Sequence, residues 1–388
     1  MEIRSTEMTS LKAVSVAFDM VTPYGWGTDS CWEGLLSGTS AIRRIDRFST
    51  CLMQTDNAAT VPYLKPSSDE SLVMQMLTPL LKKIAPEIPS DTFVILATTT
   101  GEIEFLQRSV INMEHEAIKS RPDHLLNKIM LLAGTCDSGM VVSAACVSSS
   151  AAVSRAASMI RNKERDSILV VACDSVSEFV TAGFSSLMAL DRHMAKPFDK
   201  NRRGLSLGEA AGFMLLMSEE RAVREKRDML GEIAGWGLTN DANHITGPSK
   251  DGSGLSNAVL NAMKSAGISE NEIGCISAHG TGTLYNDSME MKAIKKVFGN
   301  NPVPVYSVKG GTGHTMGAAG LLEIIIGFET LNKKTVPPTV NLSDTDREAE
   351  GWVSSGQQSF ESPVTLSTNS GFGGVNSALV LKKSEKIL

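Results

Sequence analysis

A chain of 388 residues can bury a large core without disulfides or metals, and at 42% hydrophobic and 21% charged it has the balance of a soluble globular protein. A net charge of −6 provides no basic footprint for nucleic acid. The six cysteines, Cys31, Cys51, Cys136, Cys146, Cys173 and Cys275, form no CxxC pair and no Cys/His run, which argues against a structural zinc site and a disulfide framework.

Taken in order, short apolar runs alternate with helical patterns. Met1 to Leu11 has no apolar signal-like core, so a cytoplasmic protein is expected. Ala13–Phe18 reads as a buried strand and Asp29–Leu36 as a helix; Leu72–Ile84 is a helix and Phe93–Ala97 a strand. Ser148–Arg161 is a helix opening from small residues, followed by strands at Ile168–Ala172 and Phe213–Met217. Helices Leu255–Ala266 and Ser288–Phe298 flank a strand at Ile273–Ser277, and helix Ala318–Leu331 precedes a strand at Ala378–Leu381. The alternation predicts an α/β protein with helices covering mostly parallel sheets. The greasiest stretch, Leu321–Phe328, is short and carries Glu323, so no membrane span is expected.

A weak internal echo divides the chain. Ser143–Arg161 and Gly310–Leu331 are both small-residue segments that open into helices, and each half ends in a Gly-rich turn and an apolar strand. The boundary falls between residues 226 and 227, in a run of charges from Glu219 to Asp228 that reads as a solvated helix face in a linker.

Four segments carry possible chemistry. Cys146, in Val141-Val142-Ser143-Ala144-Ala145-Cys146, stands where a strand passes into a helix, and the helix N-terminus is expected to lower its pKa; a buried structural cysteine is the bland alternative. Cys136 and Cys173 lack that placement and read as core. His279, in Ser277-Ala278-His279-Gly280-Thr281-Gly282-Thr283, follows a strand and could face a site at the sheet edge, or be a loop histidine bonded to backbone. Lys309 and His314 lie in a loop with five glycines between positions 310 and 320, without a phosphate-loop pattern; alone, Lys309 reads as a surface lysine. Ser367–Asn376 reads as a Gly-rich turn before a strand, whose N–H groups could form half of an oxyanion hole.

Together, in this order and spacing, these segments resemble the β-ketoacyl-[acyl-carrier-protein] synthases, the elongating condensing enzymes of the thiolase superfamily. Lys196-Pro197-Phe198-Asp199, Gly208-Glu209, Asp241-Ala242 with His244 and Thr246, and Pro337-Pro338-Thr339 with Asn341 extend the resemblance over nearly the whole chain. It implies a dimeric, five-layered α-β-α-β-α thiolase-like fold of two similar halves, residues 1–226 with the nucleophile and 227–388 with two histidines. It also implies that Cys146 takes the acyl chain as a thioester, while His279 and His314 hold the malonyl thioester and drive decarboxylation. Lys309 would tune the histidines and Glu323 support them. The N–H groups of Cys146 and Phe372 would form the oxyanion hole. Thr281 and Thr283 would contact the phosphopantetheine arm, with Phe372 as gate. No bound cofactor or metal is implied; substrates arrive on an acyl carrier protein.

There are departures. Ser370 stands where many relatives have Phe, and Met188 where some carry a basic docking residue. Arg43, Arg44 and Arg47 are candidates to meet an acidic carrier, or form a plain solvated face. Specialised fatty-acid, polyketide or polyene synthesis fits these changes, and a homodimer or a heterodimer with a chain-length factor is expected. A non-catalytic chain-length partner is the alternative, although such subunits usually lack the nucleophile. A degradative thiolase would need a cysteine where Ser370-Gly371-Phe372 stands, and no GxSxG elbow supports a serine hydrolase.

Overall fold

The computed structural model describes residues 11–113, 117–136 and 138–384. The segment from Met1 to Ser10, to which most of the signal-peptide reading applies, lies outside the described residues. Ten principal strands are β1 (Ala13–Thr22), β2 (Phe93–Ala97), β3 (Gly139–Val142), β4 (Ser167–Asp174), β5 (Ala210–Ser218), β6 (Gly231–Asn240), β7 (Cys275–Ser277), β8 (Val305–Tyr306), β9 (Val364–Gly371) and β10 (Val375–Lys382). The principal helices are α1 (Leu72–Ile84), α2 (Pro122–Ala133), α3 (Ser148–Arg161), α4 (Glu178–Ser186), α5 (Ser253–Ala266), α6 (Leu284–Phe298) and α7 (Ala319–Lys333).

The first five strands run in the order β1-β5-β4-β2-β3, and the last five in the order β6-β10-β9-β7-β8. The two sets have the same sense at every step: antiparallel for the first two pairings, parallel for the last two. They join where β1 pairs with β6, Ala13 opposite Ile233. The second half thus repeats the strand order of the first.

Layering follows from which side chains touch. In β4, Ile168, Val170 and Ala172 face a core built on α3 and α7. The alternate residues Leu169, Val171 and Cys173 face α1 and α2 on the outside. In the second half Ile276, Leu366 and Val380 pack on α5 and α6, while Cys275, Leu379 and Leu381 face the shared core. The order is helices, sheet, the α3/α7 pair, sheet, helices. Strands covered on both faces read as unbroken apolar runs, which is why β2, β4 and β5 are visible in the sequence. In the middle layer the helices approach closely, since a Cβ on Gly320 would lie 2.8 Å from Ser150 Cβ.

Some expectations need correction. Strand β6 carries three glycines and gives no apolar run. Two of them are required by α5, because a Cβ on Gly235 or Gly237 would lie 2.4 Å from Ala262 O or 2.0 Å from Ala258 O. Ser367 to Gly371 are the end of strand β9, not a turn; the turn is Phe372 to Gly374 between β9 and β10. That strand is rich in Ser, Thr and Asn yet buried, because its polar groups serve the site. The charged run is more than a solvated face: Arg221 is buried and paired with Asp91, Asp166 and Glu225. Cys136 is exposed, whereas Cys173 is core. Among the described residues no helix is long and apolar enough to cross a membrane.

Candidate active site

Cys146 follows β3, and His279 and His314 follow β7 and β8, so each lies past the carboxyl end of a parallel strand of its own half. Beyond β3 the chain turns sharply. Ala145 adopts φ +50°, and the Val147 and Ser148 N–H groups close onto the Ala144 and Ala145 carbonyls at 3.1 Å. The Ser148 hydroxyl clamps the same turn, donating to Ala145 O at 2.6 Å. Cys146 is thereby placed just before the first turn of α3, almost completely buried.

Its pKa does not fall as the helix position suggested. Burial pushes the thiol up to about 11, against the opposing pull of the Lys309 charge and the N–H groups of Phe372 and of Cys146 itself. Desolvation of a fully enclosed anion outweighs a helix-terminus effect of about 1 kcal/mol. Those two N–H groups are the ones expected to form an oxyanion hole, and both act on the space around the sulfur.

His279 and His314 face each other edge to face, ring centroids 5.1 Å apart. The Cys146 sulfur and one nitrogen from each ring all lie within 4.8 Å of one another. The other ring nitrogens define the tautomers. His314 Nδ1 accepts the Met316 N–H at 3.1 Å, so its proton is on Nε2, which has no partner among the described residues. His279 Nδ1 lies 3.2 Å from Lys309 Nζ and 3.3 Å from Asn369 Nδ2. Both neighbours are donors, so this proton is on Nε2 too. Burial, reinforced by the Lys309 charge, holds both imidazoles well below their usual pKa. The pair therefore presents two neutral Nε2–H donors.

A sulfur and two imidazoles also suggest a metal, but the donor set fits one poorly. A metal on Nε2 needs a proton on Nδ1 with an acceptor beyond it. Here Nδ1 of His314 meets a backbone N–H, and Nδ1 of His279 meets an ammonium.

Lys309 is buried, not on the surface as it would be if read alone. Its ammonium bonds Glu323 Oε1 and the His279 carbonyl as well as approaching His279 Nδ1. Glu323 is fully buried; burial raises its pKa and the Lys309 charge opposes this. The second Glu323 oxygen accepts from Asn369 Nδ2.

Three residues of this network escaped the sequence reading. Asn369 bridges Glu323 and His279 from the end of β9. Glu290 accepts the His279 and Gly280 N–H groups at 2.7 and 2.6 Å, and burial and neighbouring Asp287 push its pKa up to about 8. Asp287 accepts the Thr281 N–H at 3.0 Å and holds Gly282. Two acids three apart at the start of a helix just after a His-Gly-Thr loop are the available signal: they share a face and reach back to it.

The cavity occupies about 510 Å³ and is lined by the buried Cys146, His279 and His314 together with Phe372, Thr281, Thr283 and Asp241. The Thr281 and Thr283 hydroxyls are 3.0 Å apart. The Phe372 ring stacks on Phe184 of α4, centroids 5.8 Å apart. Its turn is tied to the neighbouring loop through Gly373 N–H to Ile245 O at 2.6 Å and Asn376 Nδ2 to Asp241 at 2.8 Å. Ser370 donates to Asn376 Oδ1 at 2.7 Å and lines the cavity. Arg47 is no docking residue, because it is buried against Glu209 at 2.7 Å. Arg44 pairs with Asp56 at 3.3 Å, and Arg43 bonds Thr60.

Known proteins share this chain's sequence pattern and fold. Residues 127–222 match the family described as beta-ketoacyl synthase, N-terminal domain, and residues 230–343 match its C-terminal domain. The chain is 30% identical to the 3-oxoacyl-[acyl-carrier-protein] synthase 2 of Vibrio cholerae, over 97% of this chain and all of that one. It is 28% identical to the synthase of the same name from Vibrio harveyi, over 97% and 99%. Among solved structures, the ishigamide ketosynthase/chain length factor superposes with a TM-score of 0.88 at 27% identity, covering 97% of this chain and 100% of that one. A ketosynthase described in complex with a type II polyketide acyl-carrier protein, AntDE:AntF, shares the fold, with a TM-score of 0.87 at 23% identity over 97% and 100%. The chain belongs to the β-ketoacyl synthases, acyltransferases that condense acyl thioesters in fatty-acid or polyketide chain elongation.

Proposed function

We propose that Cys146 is the acyl-accepting nucleophile of a decarboxylative Claisen condensation with a malonyl group carried on an acyl carrier protein. The observation that carries this reading is the convergence of one sulfur and two neutral Nε2–H donors on a single cavity.

In the first half-reaction the sulfur attacks the carrier thioester, and the oxyanion is held by the Cys146 and Phe372 N–H groups. The departing pantetheine thiolate takes up the proton the cysteine has lost. In the second, the His279 and His314 N–H groups hold the malonyl thioester oxygen. The carbon–carboxylate bond breaks, carbon dioxide leaves, and its electron pair forms an enolate stabilised by both donors. Each preorganised donor of this kind contributes about 3 kcal/mol. Because neither ring is an imidazolium, no acidic proton is adjacent to quench the carbanion. The enolate carbon then attacks the acyl group, the Cys146 thiolate leaves, and a β-ketoacyl thioester remains on the carrier. Lys309 and Glu323 hold His279 in its tautomer, Thr281 and Thr283 contact the phosphopantetheine arm, and Phe372 gates the cavity.

The functional molecule is a cytoplasmic dimer of chains with halves 1–226 and 227–388. Strand β3 lies at the sheet edge among the described residues, and Leu131 of the adjoining helix α2 is exposed; such an edge is suited to pairing with a second chain. That chain is a copy of this one or a chain-length factor. A purely non-catalytic partner role is disfavoured by the nucleophile itself. The test is mass spectrometry of the chain after exposure to an acyl carrier protein. An acyl adduct on Cys146, absent in Cys146→Ala, is expected; full condensation by that variant would end the proposal.

A further inference from the structure

Strands β4 and β9 hold corresponding places in the two halves, each third from the β1–β6 junction. Asn369, near the end of β9, contacts His279 Nδ1. Asp174, the last residue of β4, is fully buried and takes no part in the steps described above. Its carboxylate accepts the hydroxyls of Thr98, Thr99 and Thr100 and the Thr99 and Thr100 N–H groups at 2.8 to 3.1 Å. It also accepts the Gly317 N–H at 2.7 Å. None of these partners carries a charge. Burial raises the pKa of this acid, and the bonds from the threonines oppose the rise.

The bond to Gly317 crosses from the first half to the second and reaches a strained turn. Met316 has φ +53°, a conformation in which a side chain's Cβ is crowded. That turn aims the Met316 N–H at His314 Nδ1. Ala318 N–H closes it onto Thr315 O at 3.1 Å, and the Met316 side chain is buried with Val176, Leu205 and Leu207. Gly317 has no room for a side chain, since a Cβ would lie 2.6 Å from Asp174 Oδ2 and 3.0 Å from the Thr99 nitrogen. Without the carboxylate, the buried Gly317 N–H would lose its acceptor, and an unpaired buried donor is costly. The turn would then relieve both that cost and its strain by rotating away, because strained backbone persists only where its surroundings enforce it.

We propose that Asp174 is a positioning residue for His314: by holding the Gly317 N–H it fixes the Met316 turn, whose own N–H keeps the His314 proton on Nε2. Its consequence for decarboxylation rests on the ketosynthase reading. Asp174 thus does for His314, through one backbone link, what Asn369 does for His279 directly. Each histidine is backed by a polar residue at the end of the corresponding strand, and in the case of His314 the support comes from the opposite half of the chain.

The test is Asp174→Asn, which keeps the shape but sets a donor among groups that already donate. Decarboxylation of malonyl-carrier protein is expected to fall about 10²-fold while acylation of Cys146 changes less than about threefold. In nitrogen NMR spectra of histidine-labelled protein, the His314 ring should pass from one Nε2–H tautomer to a mixture. Gly317→Ala, which drives a Cβ into the same contact, should give the same pattern, and it takes the place of Asp174→Asn if that variant does not fold. Thr92→Val is the structural control: it removes a buried hydroxyl bonded to Ser167 at the far end of β4, so it should lower thermal stability and leave the tautomer and decarboxylation unchanged. An unchanged His314 tautomer in the site variants would overturn the proposal, as would equal losses of decarboxylation in Asp174→Asn and Thr92→Val. So would a proton on His314 Nδ1 in the unmodified chain, a measurement that needs no variant. Failure of the unmodified chain to decarboxylate malonyl-carrier protein would instead count against the ketosynthase reading, and the nitrogen spectra would still decide the role of Asp174.

Discussion

Lys309 Nζ lies 3.2 Å from His279 Nδ1 while its charge is neutralised by Glu323. A cation at that position forbids a proton on Nδ1 and keeps the imidazole neutral, so the nitrogen facing the substrate donates. Chemistry at the cavity base is therefore specified from behind, by a buried ion pair that does not border the cavity.

Removing Lys309 should separate electrostatics from fold. Lys309→Ala leaves Glu323 as an unpaired buried carboxylate and is expected to cost about 3–5 kcal/mol of stability. The double variant Lys309→Ala/Glu323→Gln should recover much of the melting temperature but not decarboxylation. Recovery of both would show the pair to be structural only.

Each histidine should matter for decarboxylation more than for acylation. His279→Ala or His314→Ala is expected to lower carbon dioxide release about 10²–10³-fold, with acyl transfer to Cys146 retained in part. Release of labelled carbon dioxide from malonyl-carrier protein and mass spectrometry of the acyl-enzyme measure the two halves separately; normal release would contradict the assigned roles.

The thiol should titrate high. With its pKa pushed up to about 11, alkylation of Cys146 by iodoacetamide should accelerate about tenfold per pH unit from pH 7 to 10, since only the thiolate reacts. A plateau near neutrality would show a thiolate at rest. Lys309→Ala removes a charge that favours the thiolate, so labelling at fixed pH should slow. By linkage, the folded thiol keeps a proton that an ordinary thiol at 9.0 loses. This contribution to stability is present below pH 9 and is lost as pH rises toward 11.

Gly237→Ala tests the packing of β6 on α5. Its Cβ would lie 2.0 Å from Ala258 O, backbone that cannot step aside, so a loss of about 3 kcal/mol is expected in denaturant unfolding. A neutral effect would mean the helix can move away from the sheet.

The local pattern reached far. Helices α1 and α3 and strand β2 have the bounds their apolar periodicity predicts, because a strand covered on both faces or a helix with one greasy stripe writes its burial into consecutive residues. Cys146 and His279 were each legible as residues placed where strands end, and His314 as part of a Gly-rich loop. The sequence alone, without its resemblance to a family, left the rest open. Strand β6 was hidden because its requirement is for absent side chains, and β9 because its buried polar groups look like a loop until their partners are known. That the sulfur and the two imidazoles share one cavity, that both rings are neutral donors, and that the thiol pKa rises instead of falling were decided by tertiary structure. The three groups that meet in the cavity are at least 35 positions apart in the chain, and desolvation depends on everything that encloses a site, not on the neighbours in the chain.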